Sequence, residues 1–195
     1  MRVIAFFLLI SFCSYSQDFK DEFGVFHYKD IVEVDKSKDD IRKIINKAVA
    51  INFKDSNHVV KLDTENNLIV KSNLNTRKGL LDFIMDIEYK EGKYKIEFYQ
   101  FPIIKTDYNL DSPIVDSTTF TKEFLRKICA NKIEQSRESI KKIMTKRLER
   151  ESYFNTMYKR TKKEVSLVYS HVKLTVSDLA SKIKNEVLKK EVSDW

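Results

Sequence analysis

Backbone breakers are scarce in this chain and unevenly spread. Its 195 residues hold three glycines (Gly24, Gly79, Gly92) and two prolines (Pro102, Pro113), and the 82 residues from Ile114 to Trp195 hold neither. So little glycine excludes the Gly-rich loops that wrap phosphates, because those loops need several residues free to take positive φ. Cysteine is equally sparse, with only Cys13 and Cys129. If Cys13 leaves with an N-terminal leader, Cys129 has no internal disulfide partner in any redox compartment. It is then expected to be a small buried residue on a helix face. His27, His58 and His171 never fall at i, i+3 or i+4, so a zinc site lacks its usual local ligand pair. No G-x-S-x-G string marks a nucleophile. These absences argue against an enzyme, and no metal or cofactor is expected.

Long apolar runs are also missing. The opening "MRVIAFFLLISFCSYSQ" has a positive start at Arg2, an apolar run from Val3 to Phe12, and small residues at Ser14 and Ser16. That is the pattern of a cleaved export signal, with cleavage after Ser16. A membrane-spanning helix needs about twenty apolar residues, and this run stops well short. Lipidation of Cys13 is the alternative, although it calls for a small residue where Phe12 stands. The expected compartment is outside the cytoplasm, in the periplasm or at the outer envelope of a bacterium.

What the chain does have is charge, divided between two portions. Residues 17–118 carry 16 Lys and Arg against 19 Asp and Glu, a net of −3, whereas residues 119–195 carry 19 against 10, a net of +9. The first portion holds all the turns. "VFHYKDIVEV" has the apolar residues of a strand, and "DKSKDDIRKIINKAVAINF" that of a helix over about Lys38 to Phe53. Ser37 is placed to cap that helix with Asp40 reaching back, and Asp39 and Asp40 suit the positive end of its dipole. Then the period changes to two. "HVVKLD" and "LIVKSNL" flank "TENN", whose asparagines tolerate positive φ in a hairpin. "LLDFIMDIEY" and "KYKIEFYQF" alternate around Glu91-Gly92, with Leu81, Phe83, Met85, Ile87, Tyr89, Tyr94, Ile96 and Phe98 on one face. A two-residue loop there sets Glu88 favourably against Lys95 but Asp86 against Glu97.

The second portion has the spacing of helices. Leu125, Cys129, Ile133, Ile140, Ile143, Met144 and Leu148 recur at three and four, with a gap at Ser136, and predict one helix of about thirty residues over the sheet. Breaks are expected near Glu151–Ser152 and His171–Leu174, with a single bent helix through the first as the alternative. Thr175 and Asp178 then suit a capping box before Leu179, Ala180, Ile183, Val187 and Leu188. The expected organisation is a leader of residues 1–16, an α+β domain over 17–148 that includes its covering helix, and a basic helical extension over 149–195.

The string "IVEVDKSKDDIRKIINKAVAINFKDSNHVVKLDTENNLIVKSNL", followed by "IEYKEGKYKIEFYQF", resembles a family of secreted bacterial domains of unknown function with a TATA-binding-protein-like fold. The resemblance spans roughly Lys29 to Ile114. It implies a sheet of about five strands, a helix after the first strand and a long helix after the last. It does not imply DNA binding, because fold and function part company.

Three classes of function remain to be weighed. Asp82, Asp86 and Glu88 line one strand face and could pair for acid and base work, but a period-two strand normally solvates such residues. A small-molecule or lipid carrier would line a cavity between sheet and helix with Phe83, Met85, Phe98 and Ile143. The expectation adopted is a non-enzymatic envelope module acting through protein interaction. Its surface is placed on Lys141, Lys142, Lys146, Arg147, Arg150, Tyr153, Phe154, Tyr158, Lys159 and Arg160. An envelope protein is the expected partner, with an anionic lipid surface as the alternative. Nucleic acid fits poorly, since no aromatic and basic platform accompanies the charge.

The leader yields the first prediction. N-terminal sequencing of protein purified from its native cells should begin at Gln17. A chain still carrying Met1, or one that begins at a lipid-modified Cys13, would refute cleavage after Ser16.

Overall fold

In the computed structural model the elements follow from local chemistry already visible in the chain. Residues 18–20, 25–53, 60–76 and 79–189 are described; the expected leader with Cys13, the expected start at Gln17, Gly24 and His58 lie outside the described residues. In chain order the strands and helices are β1 (Asp18–Lys20), β2 (Phe26–Glu33), α1 (Lys38–Asn52), β3 (Val60–Asp63), β4 (Asn67–Thr76), β5 (Gly79–Lys90) and β6 (Lys93–Tyr99). A small ribbon of β7 (Ile104–Lys105) and β8 (Asp111–Ser112) precedes α2 (Lys122–Glu134), α3 (Glu138–Leu148) and α4 (Glu151–Leu188). The architecture is α+β, with a helix after the first long strand and a long helix after the sheet.

The main sheet is antiparallel, in the order β1-β2-β6-β5-β4-β3. Five strands have four or more residues, and β1 adds a short sixth at the edge. Ser37 caps α1 as the sequence predicts: its hydroxyl accepts from the Asp40 N–H at 3.2 Å and donates to the Asp40 carboxylate at 2.7 Å. Glu91 strengthens this cap from the β5–β6 turn by accepting the Lys38 N–H at 3.0 Å. Gly92 takes φ +70° in that turn, where a side chain would be strained. The "TENN" hairpin closes differently from the expectation. Neither Asn66 nor Asn67 adopts positive φ. Instead the Thr64 hydroxyl accepts from the Asn67 N–H at 3.0 Å and holds the turn by side-chain bonding.

The predicted β5–β6 register is adopted, with Glu88 opposite Lys95 and Asp86 opposite Glu97. Like charges at the second pair are tolerated because Glu97 is flanked by two lysines, whereas Asp86 has only a long contact from the Tyr99 hydroxyl and its Oδ1 is buried without a hydrogen-bond partner among the described residues. Glu97 lies 3.3 Å from Lys29 and 3.5 Å from Lys95, and Asp86 accepts from the Tyr99 hydroxyl at 3.5 Å. Lys95 and Lys90 each reach Glu88 at 3.0 Å, and the Lys95 hydrogen bond holds its carboxyl below the usual range. This charge ladder occupies the face that none of the described helices covers.

The other face carries the core, and its cover corrects the sequence reading. The expected helix of about thirty residues is broken into α2 and α3, and α1 and α4 are the helices that pack over the sheet. The break expected near Glu151 is present, but the one at His171–Leu174 is not: α4 runs unbroken through 38 residues, about 57 Å. Its ten buried residues, from Phe154 through Val165, Val172 and Val176 to Val187, are spaced three or four apart. A continuous stripe of that kind keeps one face inward over the full length. Two contacts fix its position further. Tyr169 packs edge-on against Phe26 of β2 at 5.5 Å. Asp30, buried beneath the helix and hydrogen-bonded to the Tyr28 hydroxyl, lies 3.9 Å from Lys184.

The described part of the expected extension, residues 149–189, therefore contributes to the core instead of standing apart from the domain. A chain ending at Arg150 loses eight buried Phe, Met, Val and Ile side chains worth about 1.5–3 kcal/mol each, a sum comparable to or above a typical stability of about 5–15 kcal/mol. It should show no cooperative thermal transition by circular dichroism. A truncated chain that melts cooperatively would contradict this packing.

Candidate functional site: a cationic helical arm

Thr121 starts the arm by accepting the Phe124 N–H at 3.1 Å, and α2 buries Leu125 and Cys129. The chain then breaks at Ser136, the gap in the apolar stripe. No glycine or proline is involved. The Ser136 hydroxyl donates to the Lys132 carbonyl at 2.6 Å and its N–H tightens to the Ile133 carbonyl at 3.0 Å, closing α2 with a short turn. Arg137 is extended and begins α3 without a side-chain cap. Arg150 does the same for α4.

The ten predicted surface residues separate on this frame. Lys142, Lys146, Arg147, Arg150, Lys159 and Arg160 are exposed, and none has a carboxylate within ion-pair distance among the described residues. Lys141 is half-buried, 3.8 Å from Glu138. By contrast the α2 cations are engaged: Lys122 and Arg126 both meet Glu151 at 3.8 Å, and Lys132 meets Asp111 at 3.7 Å. Phe154 does not belong to the surface. It is 1% exposed, part of the core, with the Arg126 guanidinium 4.6 Å above its ring. Tyr153 and Tyr158 are half-buried braces. Tyr153 meets Tyr108 edge-on at 6.3 Å, and Tyr158 stacks on Phe120 while donating to its carbonyl at 3.3 Å.

The lining expected for a carrier cavity is not assembled. Phe83 and Phe98 are in ring contact at 5.8 Å within the core, Met85 is buried between the same strands, and Ile143 lies out on α3. Asp82, Asp86 and Glu88 share the open sheet face, where the partners of Asp86 and Glu88 are Tyr99, Lys90 and Lys95. His27 packs edge-on to Tyr99 at 6.2 Å, and the His171 Nε2–H donates to the Asn75 carbonyl at 3.2 Å.

Two grooves adjoin the arm and α4. One, of about 260 Å³, lies where α2, α3 and α4 meet and is lined by Cys129, Ile133, Leu148 and Phe154. The other, of about 560 Å³, lies beside the middle of α4, between Leu167, His171 and Leu174 on the helix and Asn75 and Thr76 at the end of β4. Leu167 and Leu174 are 52% and 71% exposed. Sequence reasoning missed this pair because it placed a break at His171–Leu174; a seven-residue spacing on an unbroken helix would have put them on one outer face.

No family model matches the chain, and no curated protein matches it. Among solved structures it is similar to a TBP-like protein from Parabacteroides distasonis, at 16% identity and a TM-score of 0.41, over 83% of this chain and 94% of that one. It is also similar to a DUF4468 family protein from Bacteroides ovatus, at 10% identity and a TM-score of 0.36, over 46% of this chain and 61% of that one. Neither likeness bears on individual residues or on function. No helix among the described residues is long and apolar enough to cross a membrane.

Burial pushes the Cys129 thiol up to about 11, away from the thiolate form. Alkylation of folded protein near pH 8 should therefore be slower than that of denatured protein by about a hundredfold or more. Equal rates in the two states would show that Cys129 is not buried on the inner face of α2.

Proposed function

We propose that this chain is a non-enzymatic, exported module of the bacterial cell envelope that works by contact with another protein. The observation that carries the reading is the outer face of α4. Two leucines seven residues apart stand open to solvent beside a groove, in line with Arg160 and the half-buried Tyr153 one and two turns-pairs earlier along the helix. Single exposed leucines are ordinary, but here two share one face beside a groove, and the same face continues through arginine and tyrosine, the residue types enriched at protein contacts. The leader supports export, and the filled core supports a role at the surface over one in an interior cavity. The geometry fits an apolar helix or strand laid along α4 against the end of β4.

The test is in-cell photo-cross-linking. A photoreactive residue at Leu167 should give a discrete adduct in the envelope fraction, with a partner identifiable by mass spectrometry, while one at exposed Asn185 of the same helix should not. Leu174→Asp should weaken the adduct about tenfold while changing stability by no more than about 0.5 kcal/mol, as usual for an exposed position. Identical adducts from both positions, or none from Leu167, would overturn the reading.

A further inference from the structure

The helix α3 contributes no buried residue, yet its sequence is not that of a merely solvated connector. Ile140 and Ile143 are 46% and 54% exposed. At about 100° per residue, Lys146, Ser139, Ile143, Arg147 and Ile140 fall in one outward sector, with Lys142 at its margin. That sector contains no carboxylate, and Glu138 and Glu149 border it on the side of Lys142. Met144, Leu148 and Lys141, the half-buried residues of α3, occupy the opposite side. Two isoleucines framed by cations that have no ion-pair partner among the described residues thus face away from the body.

The chemistry of this face selects among possible occupants. A protein interface concentrates aromatic residues and arginine and is depleted of lysine, whereas this sector has lysine, isoleucine and no aromatic residue. Nucleic acid would set its phosphates against the isoleucines and find no ring to stack on. A second copy would bring two positive faces together. An anionic lipid surface satisfies both components, since short aliphatic side chains enter the headgroup layer while lysine and arginine meet phosphates around them.

We propose that α3 is a reversible seat on an anionic phospholipid surface, with Ile140 and Ile143 entering the headgroup layer and Lys142, Lys146 and Arg147 meeting the phosphates. The seat is short, three helical turns, so it holds the protein weakly and in a salt-dependent way. It is separate from the protein-contact face. Leu167 lies about 24 Å along α4 from Glu151, where the arm joins, and the two surfaces stand or fall independently.

Purified full-length mature protein should co-float at low salt with phosphatidylcholine vesicles containing phosphatidylglycerol, and not with pure phosphatidylcholine. Ile143→Asp, and separately the pair Lys142→Glu and Lys146→Glu, should each lower partitioning about tenfold or more. The pair Lys182→Glu and Lys189→Glu, at the far end of α4, should not. All variants should keep the parent thermal transition, because none alters a buried side chain. Absence of binding to anionic vesicles overturns the proposal. So does equal binding to both vesicle types, or a concentration-dependent dimer abolished by Ile143→Asp without lipid binding.

Discussion

Burial of one apolar stripe on α4 underlies the whole molecule, because that stripe serves two sets of partners. Phe154 and Met157 at its start belong to the junction with the arm, where Arg126 covers the Phe154 ring. Val165 to Val187 close the sheet together with Ile41, Ile45, Ala48 and Val49 of α1. Spacings of three and four along the stripe keep both halves in one register without a kink. The inward residues are mostly valine and alanine after Met157, and such short side chains let the helix lie close to α1 and the strands. Asp30 is the costly element in this packing. A buried carboxylate needs compensation, and here it comes from the Tyr28 hydroxyl and the charge of Lys184. The penalty for removing one of these partners makes their placement specific.

The open sheet face shows how a locally unfavourable pairing is absorbed. Asp86 opposite Glu97 is a repulsive pair when two strands are considered alone. A third strand, β2, brings Lys29 to Glu97, and β6 itself brings Lys95 to lie between Glu97 and Glu88. The register is set by the apolar side, where a slip of one residue would turn Phe83, Met85 and Phe98 outward. The charges then arrange themselves within that constraint.

This explains what could be read from the chain and what could not. Elements ruled by nearest neighbours were legible: the Ser37 cap, the α1 stripe, the Glu91-Gly92 turn and the alternation of β5 and β6. The helical character after Phe120 and the break near Glu151 were legible too, but the stop at Ser136 and the continuity through His171–Leu174 were not, for two physical reasons. A helix stop without glycine or proline, made by Ser136 bonding back to Lys132, looks in sequence like a single polar residue on an apolar stripe. And a stripe of β-branched valines is a weak helical signal until tertiary contact rewards it, so His171–Leu174 resembled an ending when it was the middle of the longest element. The candidate surface divided along the same line. Its cations were found from composition, whereas Phe154 went to the core and Leu167 and Leu174 emerged only once α4 was continuous.

The absence of any glycine or proline between Arg150 and Lys189 has a mechanical meaning as well. A helix with no hinge, clamped at one end by the tyrosine braces on Phe120 and Tyr108 and at the other by Asp30, acts as a strut. The angle between arm and sheet is then a property of the strut and not of a linker. Whatever surface receives the arm also fixes the compass bearing of the salt-bridged sheet face, so that a molecule held by one short helix presents all its other surfaces in a defined direction.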